Sequence, residues 1–439
     1  MESDNSFVLP ERAKIVLINT GKAEALRELR KLAPDAEVHV ITEDSYAHLY
    51  GSTETLHLVQ DVADVSSVLR KALKIAEDGP IDFLVSPSER SMLAGGFLRS
   101  YFSLPGQPFD TANLFSNKAA MKTKLRSEGV AVAPYRAVVG AKQVARAAEC
   151  LGFPLVIKPA FGTGSMNTFV LRSQAELVEL LGSDIGQVLF TKPRLLLVEQ
   201  YLDVDNEYSC DGIVSNSKVV FALPSRYSTP VLGHVGDMLG TVTLDPDSET
   251  GIAILRMHAQ AVAALGMTNG VTHLEILDTS DGWVLGEIAC RPGGAGVVRN
   301  GLLSRGVDLW EAFMRHSLGD DPGLSAAADH GYRGANMWTE LPTRPGKIAA
   351  ISNEEDFALI DGLLDVDMHV RVGEEISPRM HSSSTTGLVF LQIASNAKPE
   401  VEEKLAEIRL RYVLVMEGES EGEQAFELAT SLDGAVHNV

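Results

Sequence analysis

The sequence has few cysteines and no long apolar run, and both absences limit what the protein can be. Its 439 residues include three cysteines, Cys150, Cys210 and Cys290, which lie far apart and form no CxxC pair. This spacing argues against a zinc site or a disulfide framework and is typical of a reducing cytoplasm. No apolar run reaches the roughly 18 to 20 residues that span a bilayer. The polar N-terminus lacks a signal-peptide pattern, so we expect a cytoplasmic protein.

Positive charge is also scarce. The formal net charge is −21, and 45% of the residues are hydrophobic. A surface of this sign repels nucleic acid and anionic lipid, so neither is expected as a partner. The hydrophobic content is that of a folded protein, and the length suits about two to four compact units. An anionic substrate would need its own local positive groups.

Two common nucleotide-binding motifs are missing. The N-terminal stretch alternates strand-like and helical segments, as in ERAKIVLINTG and IDFLVSPSE, which predicts an open parallel sheet. Gly21 stands alone after the first strand, without the GxGxxG pattern of a dinucleotide site. The Walker A pattern GxxxxGK[ST] is absent as well, which disfavours a P-loop kinase.

A predicted hairpin carries charge inside apolar surroundings. Between Thr272 and Gly294, two apolar runs are separated by DTSDG. Because side chains alternate along a strand, a turn near Ser280 places Glu275 and Glu287 on the same side. Two close carboxylates repel unless one is neutralised or a cation such as Mg²⁺ lies between them. Arg291 suits a phosphate oxygen, but an ordinary salt bridge between Arg291 and Glu287 explains the pattern equally well.

A second element is a lysine beside glycines. In VIKPAFGTGSM, Lys158 ends an apolar strand and precedes Gly162, Gly164 and Ser165. Such a turn lets backbone N–H groups approach a phosphate, and the lysine adds a point charge. A plain tight turn is the alternative interpretation.

Three further charged residues lie near predicted element ends. Lys118 begins a helix in SNKAAMK, where a surface lysine is the ordinary interpretation. Glu199 ends the strand LLLVEQ, and Glu207 follows in an acidic turn. One carboxylate beside an extended backbone segment can accept from an adenine amino group, and another can bind ribose hydroxyls. Solvated loop carboxylates remain the alternative.

Taken in order, these elements resemble the ATP-grasp superfamily, specifically the carboxylate–amine ligases that include bacterial L-amino-acid and dipeptide ligases. The resemblance is strongest over residues 117–298, in LVIKPAFGTGSMN and in HLEI followed by GEIACRPGG. It implies an α/β ATP-grasp fold with three units. These are an N-terminal open parallel-sheet domain (1–113), a central lid domain (114–193) and a C-terminal lobe with the metal site (194–439).

The resemblance also implies roles for individual residues. Nucleotide contacts are implied for Lys118, Lys158, Gly162, Gly164, Ser165, Glu199, Gln200, Tyr201, Leu202 and Glu207. Metal ligation is implied for Glu275 and Glu287, and stabilisation of the transferred phosphate for Arg291. The cofactors would be ATP and Mg²⁺, with Mn²⁺ able to replace it. Ala289 departs from the family, because many members carry asparagine there, which removes one metal contact.

Substrate contacts are harder to predict. Arg226 and His273 are candidates to face the reacting carboxylate or phosphate. The predicted catalytic residues are Arg226, Arg291 and Lys158. Arg299 is a candidate for an anionic substrate group, and His234 is expected in a mobile loop. Glu89 follows a strand end in the first domain, where such folds place ligands.

The predicted activity is amide bond formation between an amino-acid or peptide carboxylate and an amine, through an acylphosphate, with release of ADP and phosphate. This enzyme needs no protein nucleophile, so Cys290 is expected to be a buried apolar residue. Two alternatives stay open: another metabolic ligase of the same superfamily, such as a purine-biosynthesis type, and a non-catalytic ATP-binding regulatory protein. The partners are small molecules, and the family implies a homodimer.

Overall fold

The structure is a computed structural model that describes residues 9–162, 164, 166–191, 194–232, 236–321, 332, 334–378 and 384–419. The described chain contains a parallel four-stranded sheet, an antiparallel four-stranded sheet, and an eight-stranded sheet with a three-stranded one beside it. They follow one another along the chain as N-terminal, central and C-terminal units. The mixed α/β class predicted from the sequence is therefore observed.

The N-terminal unit is a parallel sheet with helices packed on it. Its elements are β1 (Lys14–Ile18), α1 (Ala23–Leu32), β2 (Glu37–Glu43), β3 (Thr55–Val59), α2 (Val65–Ala76), β4 (Phe83–Val85), α3 (Glu89–Phe102) and α4 (Phe109–Leu114). The strand order is β3-β2-β1-β4, with parallel pairing throughout. Every residue of β1 is buried, as expected for a strand covered on both faces.

The carboxyl edge of this sheet presents polar residues. Asn19 follows β1, and its amide donates to the carbonyl of Lys22 (2.8 Å) and to the Tyr50 hydroxyl (2.9 Å). Ser88 follows β4 and caps α3 through a reciprocal pair of bonds with Ser91. Glu89, the first residue of α3, therefore lies at the ligand-binding edge of an open α/β sheet.

The central unit is a small antiparallel sheet with short helices. It comprises α5 (Lys118–Ser127), β5 (Tyr135–Val139), α6 (Ala141–Leu151), β6 (Leu155–Pro159), β7 (Phe169–Leu171), α7 (Gln174–Gly182), α8 (Asp184–Thr191) and β8 (Leu195–Gln200). The strand order is β5-β8-β6-β7. Because β8 is an inner strand of this sheet, the boundary predicted at residue 193 is too early, and Gln200 is the last residue of the unit's sheet.

The glycine-rich turn lies between β6 and β7. Gly162 and Gly164 adopt φ values of 152° and 63°, which side chains with a Cβ rarely tolerate. The backbone therefore makes a turn here that only glycine adopts without strain. Ser165, predicted to contact the nucleotide, lies outside the described residues.

The C-terminal unit is built on the large sheet. Its elements are β9 (Asn206–Ser215), β10 (Lys218–Tyr227), β11 (Gly240–Thr243), α9 (Glu249–Leu265), β12 (Gly270–Thr279), β13 (Gly282–Ala289), α10 (Val297–Arg305), α11 (Leu309–Ser317), β14 (Ala335–Glu340), β15 (Gly346–Ile351), β16 (Leu363–Met368), β17 (Glu375–Ile376), β18 (Gly387–Ile393), α12 (Lys398–Arg411) and β19 (Leu414–Met416). The large sheet runs β13-β12-β9-β10-β11-β14-β18-β16, and the small one β17-β15-β19.

The predicted hairpin is formed by β12 and β13. Ser280 and Asp281 make the turn, and the Thr279 hydroxyl donates to the carbonyl of Gly282 (2.7 Å). The pairing sets Glu275 directly opposite Glu287. The expectation that these two carboxylates share one side of the hairpin is confirmed by this register.

The burial of Cys290 agrees with the expectation from the sequence. Cys290 is buried, and burial raises the pKa of its thiol to about 12, so it is an inert apolar residue. All three cysteines are free thiols. Among the helices of the described chain, none is long and apolar enough to cross a bilayer.

One buried carboxyl group in the large sheet lacks a partner. Glu340 ends β14 at 4% exposure, and its side chain forms no ion pair or hydrogen bond within the described chain. Burial raises its pKa from 4.5 to about 8. Between these two pH values the folded protein holds a proton that the unfolded chain releases, so this group makes stability fall as pH rises.

Glu340→Gln is therefore expected to stabilise the protein at pH 8 by about 2 kcal/mol and to have little effect near pH 5. Thermal unfolding at pH 6 and pH 8 measures the difference, which should widen at the higher pH. Glu355→Gln, at an exposed position, is the matched control and should be neutral at both. An equal effect of Glu340→Gln at both pH values would contradict the shifted titration.

Candidate active site

A cleft between the central sheet and the large sheet gathers most of the predicted site residues. It is lined by α5, the glycine-rich turn, the segment after β8, and the hairpin of β12 and β13. The predicted residues that line it are Lys118, Lys158, Gly162, Gly164, Glu199, Gln200, Tyr201, Leu202, Glu207, His273, Glu275, Glu287 and Arg291. Glu89 lines the same cleft. The cleft therefore combines charged residues of both signs from all three units.

The hairpin side of the cleft is acidic. Glu275 and Glu287 face each other across the two strands, and Glu207 lies diagonally beside Glu275 on β9. Burial, together with neighbouring carboxylates, raises the pKa of both Glu207 and Glu287. Such crowding disfavours the charged forms unless a cation is bound among them.

His273 contacts both Asp211 and Glu275 and so links β9 to the hairpin. The His273 Nδ1 atom lies 2.7 Å from an Asp211 carboxylate oxygen, and its Nε2 atom lies 3.6 Å from Glu275. Burial works against a charged imidazole, but Asp211 and Glu275 outweigh it and raise the pKa of His273 to about 10. The resulting imidazolium fixes the orientation of Glu275 and lowers the pKa of its carboxyl group against the effect of burial.

Glu89 joins the three units through two ion pairs. Its carboxylate accepts from the Arg291 guanidinium at 2.9 Å and from the Lys118 ammonium at 3.3 Å. Lys118 also lies 2.9 Å from Glu287 and donates to the carbonyl of Gly162 at 2.6 Å. Burial would raise the pKa of Glu89, but Lys118 and Arg291 hold it well below its usual value.

A second ion-pair cluster lies on the central unit. Glu199 contacts Lys158 at 2.9 Å and Lys122 at 3.3 Å. Burial favours the neutral acid, but the two lysines lower the pKa of Glu199 to about 2. The carboxylate predicted to accept from adenine therefore binds two ammonium groups. The structure places Glu199 as an ion-pair partner of two lysines beside the glycine-rich turn.

Lys122 was not among the predicted residues. It is buried on α5, four residues after Lys118, and it lines the cleft. Side chains separated by four positions share a helix face. That spacing is visible in SNKAAMK, so it was the signal that would have identified Lys122 once Lys118 was placed.

The chain is extended at the end of β8 and beyond it, and the backbone N–H groups of three successive residues differ in their hydrogen bonds. The N–H of Gln200 donates to the carbonyl of Pro134 (2.9 Å), and that of Tyr201 to the carbonyl of Pro154 (3.1 Å). The N–H of Leu202 makes no hydrogen bond to another described residue. Glu207 accepts from the N–H of Val231 (2.8 Å), which brings the loop after β10 over the cleft. Leu202 therefore offers a free donor at the cleft wall.

The structure contradicts the prediction for Arg226. Arg226 pairs with Tyr208 on β9, so it lies on the face of the sheet opposite Glu207 and the cleft. Its guanidinium donates to the carbonyl of Asn396 (2.5 Å). The cause is a break in strand register between Val219 and Phe221, because an unbroken register would set Arg226 opposite Glu207.

The other residues predicted to contact a substrate differ in where the structure places them. Arg299 is not among the residues that line the cleft, and its half-exposed guanidinium pairs with Asp365 at 2.8 Å; its contact with a substrate stays a prediction. His234 lies outside the described residues. His273 and Glu89 do line the cleft.

The donor set of the hairpin fits a hard divalent cation. Glu275 and Glu287 supply carboxylate oxygens from adjacent strands, which is the ligand type that Mg²⁺ prefers. No cluster of three or more histidine, cysteine, aspartate or glutamate side chains forms a complete metal cage in the part of the chain described. Two carboxylates without a full cage suit Mg²⁺, since it usually keeps water and substrate phosphates as its remaining ligands.

Comparison with known proteins finds relatives over most of the chain. A family model described as the carbamoyl-phosphate synthase L chain, ATP binding domain, matches residues 117–238. The L-arginine-specific L-amino acid ligase of Bacillus subtilis is 32% identical over 406 residues, which covers 91% of this chain and 97% of that protein. A formate-dependent phosphoribosylglycinamide formyltransferase of Erythrobacter litoralis is 24% identical over 323 residues, or 71% of this chain and 78% of that one.

Solved structures agree with these relatives. The L-amino acid ligase of Bacillus licheniformis matches with a TM-score of 0.74 and 18% sequence identity, covering 93% of this chain and all of that one (100%). Likeness at this level of identity establishes a shared fold, and the fold predicted from the sequence is confirmed. The residues matched by the family model carry Lys118, Lys158 and Glu199, which line the cleft.

Proposed function

Since this chain belongs to the ATP-grasp family of carboxylate–amine ligases, we propose that it forms an amide bond between an amino-acid or peptide carboxylate and an amine, using ATP. One observation carries the proposal: a single cleft unites opposed carboxylates, Glu275 and Glu287, with several buried cations. That combination suits a nucleotide triphosphate and its metal ion, because phosphoryl transfer depends on positioning and charge neutralisation.

The proposed reaction has two steps. A carboxylate oxygen of the first substrate attacks the γ-phosphorus of ATP, the bond to the β,γ-bridging oxygen breaks, and ADP leaves. The neutral amine of the second substrate then attacks the acyl carbon. The carbon–oxygen bond to phosphate breaks, inorganic phosphate leaves, and the nitrogen loses its proton. No side chain has to act as a nucleophile.

We assign roles from the positions in the cleft. Lys118 and Lys158 bind phosphate oxygens, and the Leu202 N–H, with the segment from Gln200, holds the adenine. Glu207 lies where a ribose hydroxyl would be bound. Mg²⁺, when bound by Glu275 and Glu287, neutralises the phosphate oxygens, and Mn²⁺ has the same ligand preference. Arg291 holds the transferred phosphate group during both steps.

We further propose that the central unit is the lid. It carries the Gly162 and Gly164 turn, and the backbone freedom of these glycines supports closure over the phosphates. A closed lid would keep water from hydrolysing the acylphosphate. As for assembly and location, we propose a homodimer, as in the family, and a cytoplasmic enzyme, which the free thiols support.

An amino acid is the preferred acid. The relative with 32% identity bears the name L-arginine-specific L-amino acid ligase, whereas the formate-dependent phosphoribosylglycinamide formyltransferase shares 24% over a shorter stretch. L-Arginine is therefore the first acid that we propose to test. The purine-biosynthesis alternative is less favoured, and the complete set of cleft cations and carboxylates argues against an ATP-binding protein without catalysis.

ADP release measured with ATP, Mg²⁺ and pairs of amino acids tests the proposal. We expect release above background only when an amino acid that supplies the carboxylate is present, with mass analysis showing the dipeptide. L-Arginine combined in turn with each common amino acid forms the first series. ADP release that does not depend on any added amino acid, or that requires a purine-pathway amine instead, would disprove the assignment.

A further inference from the structure

A half-buried lysine from the N-terminal unit lies near the site but does not line the cleft. Lys22 lies in the loop between β1 and α1, at the carboxyl edge of the parallel sheet. The Asn19 amide fixes this loop by donating to the carbonyl of Lys22 (2.8 Å). The side chain extends to α11, where its ammonium nitrogen lies 5.6 Å from the centre of the Trp310 ring. The loop and the ring together determine where the ammonium group lies.

The ammonium group of Lys22 has no anionic partner among the residues that the structure describes. Its nitrogen makes no ion pair or hydrogen bond with any described residue. Burial and the nearby positive charge of Arg291 lower the pKa of Lys22 to about 8, although Glu24 and Glu89 act in the opposite direction. A partly buried cation beside a second cation is unfavourable, and an anion bound at this point would relieve the cost.

The loop of Lys22 and the helix start at Glu89 follow neighbouring strands, β1 and β4, at the same edge of the sheet, and Arg291 pairs with Glu89. Arg291 and Glu89 both line the nucleotide cleft, whereas Lys22 does not. The reacting carboxyl group must lie close to the γ-phosphate and Arg291 for phosphoryl transfer. An anion held by Lys22 is consequently a part of a substrate that does not react with ATP.

We propose that Lys22 binds the unreacted carboxylate of the amino acid that supplies the amine. This inference rests on the proposed function. An amino acid that acts as the amine keeps its own α-carboxylate through both steps, so it needs a cation beyond the acyl carbon. Lys22 meets this requirement, and the Trp310 ring holds the ammonium group by a cation–π contact. The residue selects amino acids over amines that lack a carboxylate.

A comparison of three amines tests whether Lys22 binds the carboxylate of the amine substrate or has a general role in the reaction. ADP release is measured with ATP, the acid found in the screen, and each of the following: the amino acid that serves as the amine, its carboxamide, and hydroxylamine. Hydroxylamine converts the acylphosphate to a hydroxamate and has no carboxylate. The variants are Lys22→Met, which keeps the stem, and Lys22→Arg, which keeps the charge. Lys31→Met, on the exposed side of α1 where Lys31 pairs with Glu28, is the matched control.

We expect Lys22→Met to raise the KM for the amino acid amine about 10- to 100-fold, as for loss of a charge-assisted hydrogen bond. The KM for its carboxamide, hydroxamate formation, and the KM for ATP and for the acid should stay unchanged. Lys22→Arg should recover part of the loss, and Lys31→Met should behave as the wild type.

Other results would overturn the inference. An equal loss with the amino acid and its carboxamide, or a raised KM for ATP or for the acid, would show that Lys22 has another role. Failure of hydroxamate formation in both Lys22 variants would show that it supports the fold or the first step. A wild-type protein that turns over no amino acid would instead disprove the proposed function.

Discussion

Turnover is expected to fall by about three orders of magnitude when Glu287 is replaced by glutamine. The amide keeps the shape of the side chain and still accepts from Lys118, which lies 2.9 Å from the carboxylate, so the fold should survive. What is lost is the negative charge opposite Glu275, on which the bound metal ion and the triphosphate depend. Amino-acid-dependent ADP release over a range of Mg²⁺ concentrations measures the effect.

Asp281→Asn supplies the matched control for this prediction. Asp281 is an exposed carboxylate in the turn of the same hairpin and lies outside the cleft. Its replacement should leave turnover and metal dependence unchanged. If Glu287→Gln retained wild-type turnover at low Mg²⁺, Glu287 would have no part in the metal site. A large fall in the unfolding temperature would show that the effect is structural.

Replacement of Lys158 by methionine is expected to raise the KM for ATP and to lower kcat by about a hundredfold. Lys158 ends β6 beside the glycine-rich turn, and Glu199 holds its ammonium group at 2.9 Å. The phosphate would lose a cation that is already fixed in position. Because Lys122 remains beside Glu199, the buried carboxylate keeps one partner and the fold should tolerate the change.

Steady-state kinetics at varied ATP and at varied amino acid distinguish this role from a structural one. The KM for the amino acids should change little. Lys142→Met, at an exposed position on α6 of the same unit, is the control and should leave kcat and the KM for ATP unchanged. Glu199→Gln should give a weaker form of the same defect, because Lys158 would keep its charge but lose its anchor. Unchanged ATP kinetics in Lys158→Met would remove it from the phosphate site.

The hairpin was the most predictable part of the site. Its two strands flank a short turn, so a pairing close to the one that unites Glu275 and Glu287 was predictable. The direct pairing depends on an irregularity, because the register shifts by one between Glu275 and Ile276 and so sets Glu275 opposite Glu287. Lys118 and Lys158 were predictable only because they stand at element ends in a familiar order. Their actual partners, Glu89, Glu287 and Glu199, come from other elements and were not visible in any single segment.

Arg226 shows where sequence reasoning fails. The face of a strand residue depends on counting pairs from its neighbour, and the irregularity between Val219 and Phe221 shifts that count by one. Nothing in the local sequence marks the shift. The boundary at residue 193 failed for a related reason, since β8 follows the lid helices in sequence but pairs between β5 and β6.

The ion pairs of Glu89 have a consequence for attempts to alter this enzyme by exchanging parts with its relatives. One carboxylate from the first unit is shared between a lysine of the second and an arginine of the third. A chimera that imports a foreign N-terminal segment without an acid at this place would leave Arg291 without its carboxylate partner and Lys118 with Glu287 alone. Substrate range should therefore be redesigned by transplanting Glu89, Lys118 and Arg291 as a set, whatever else is changed.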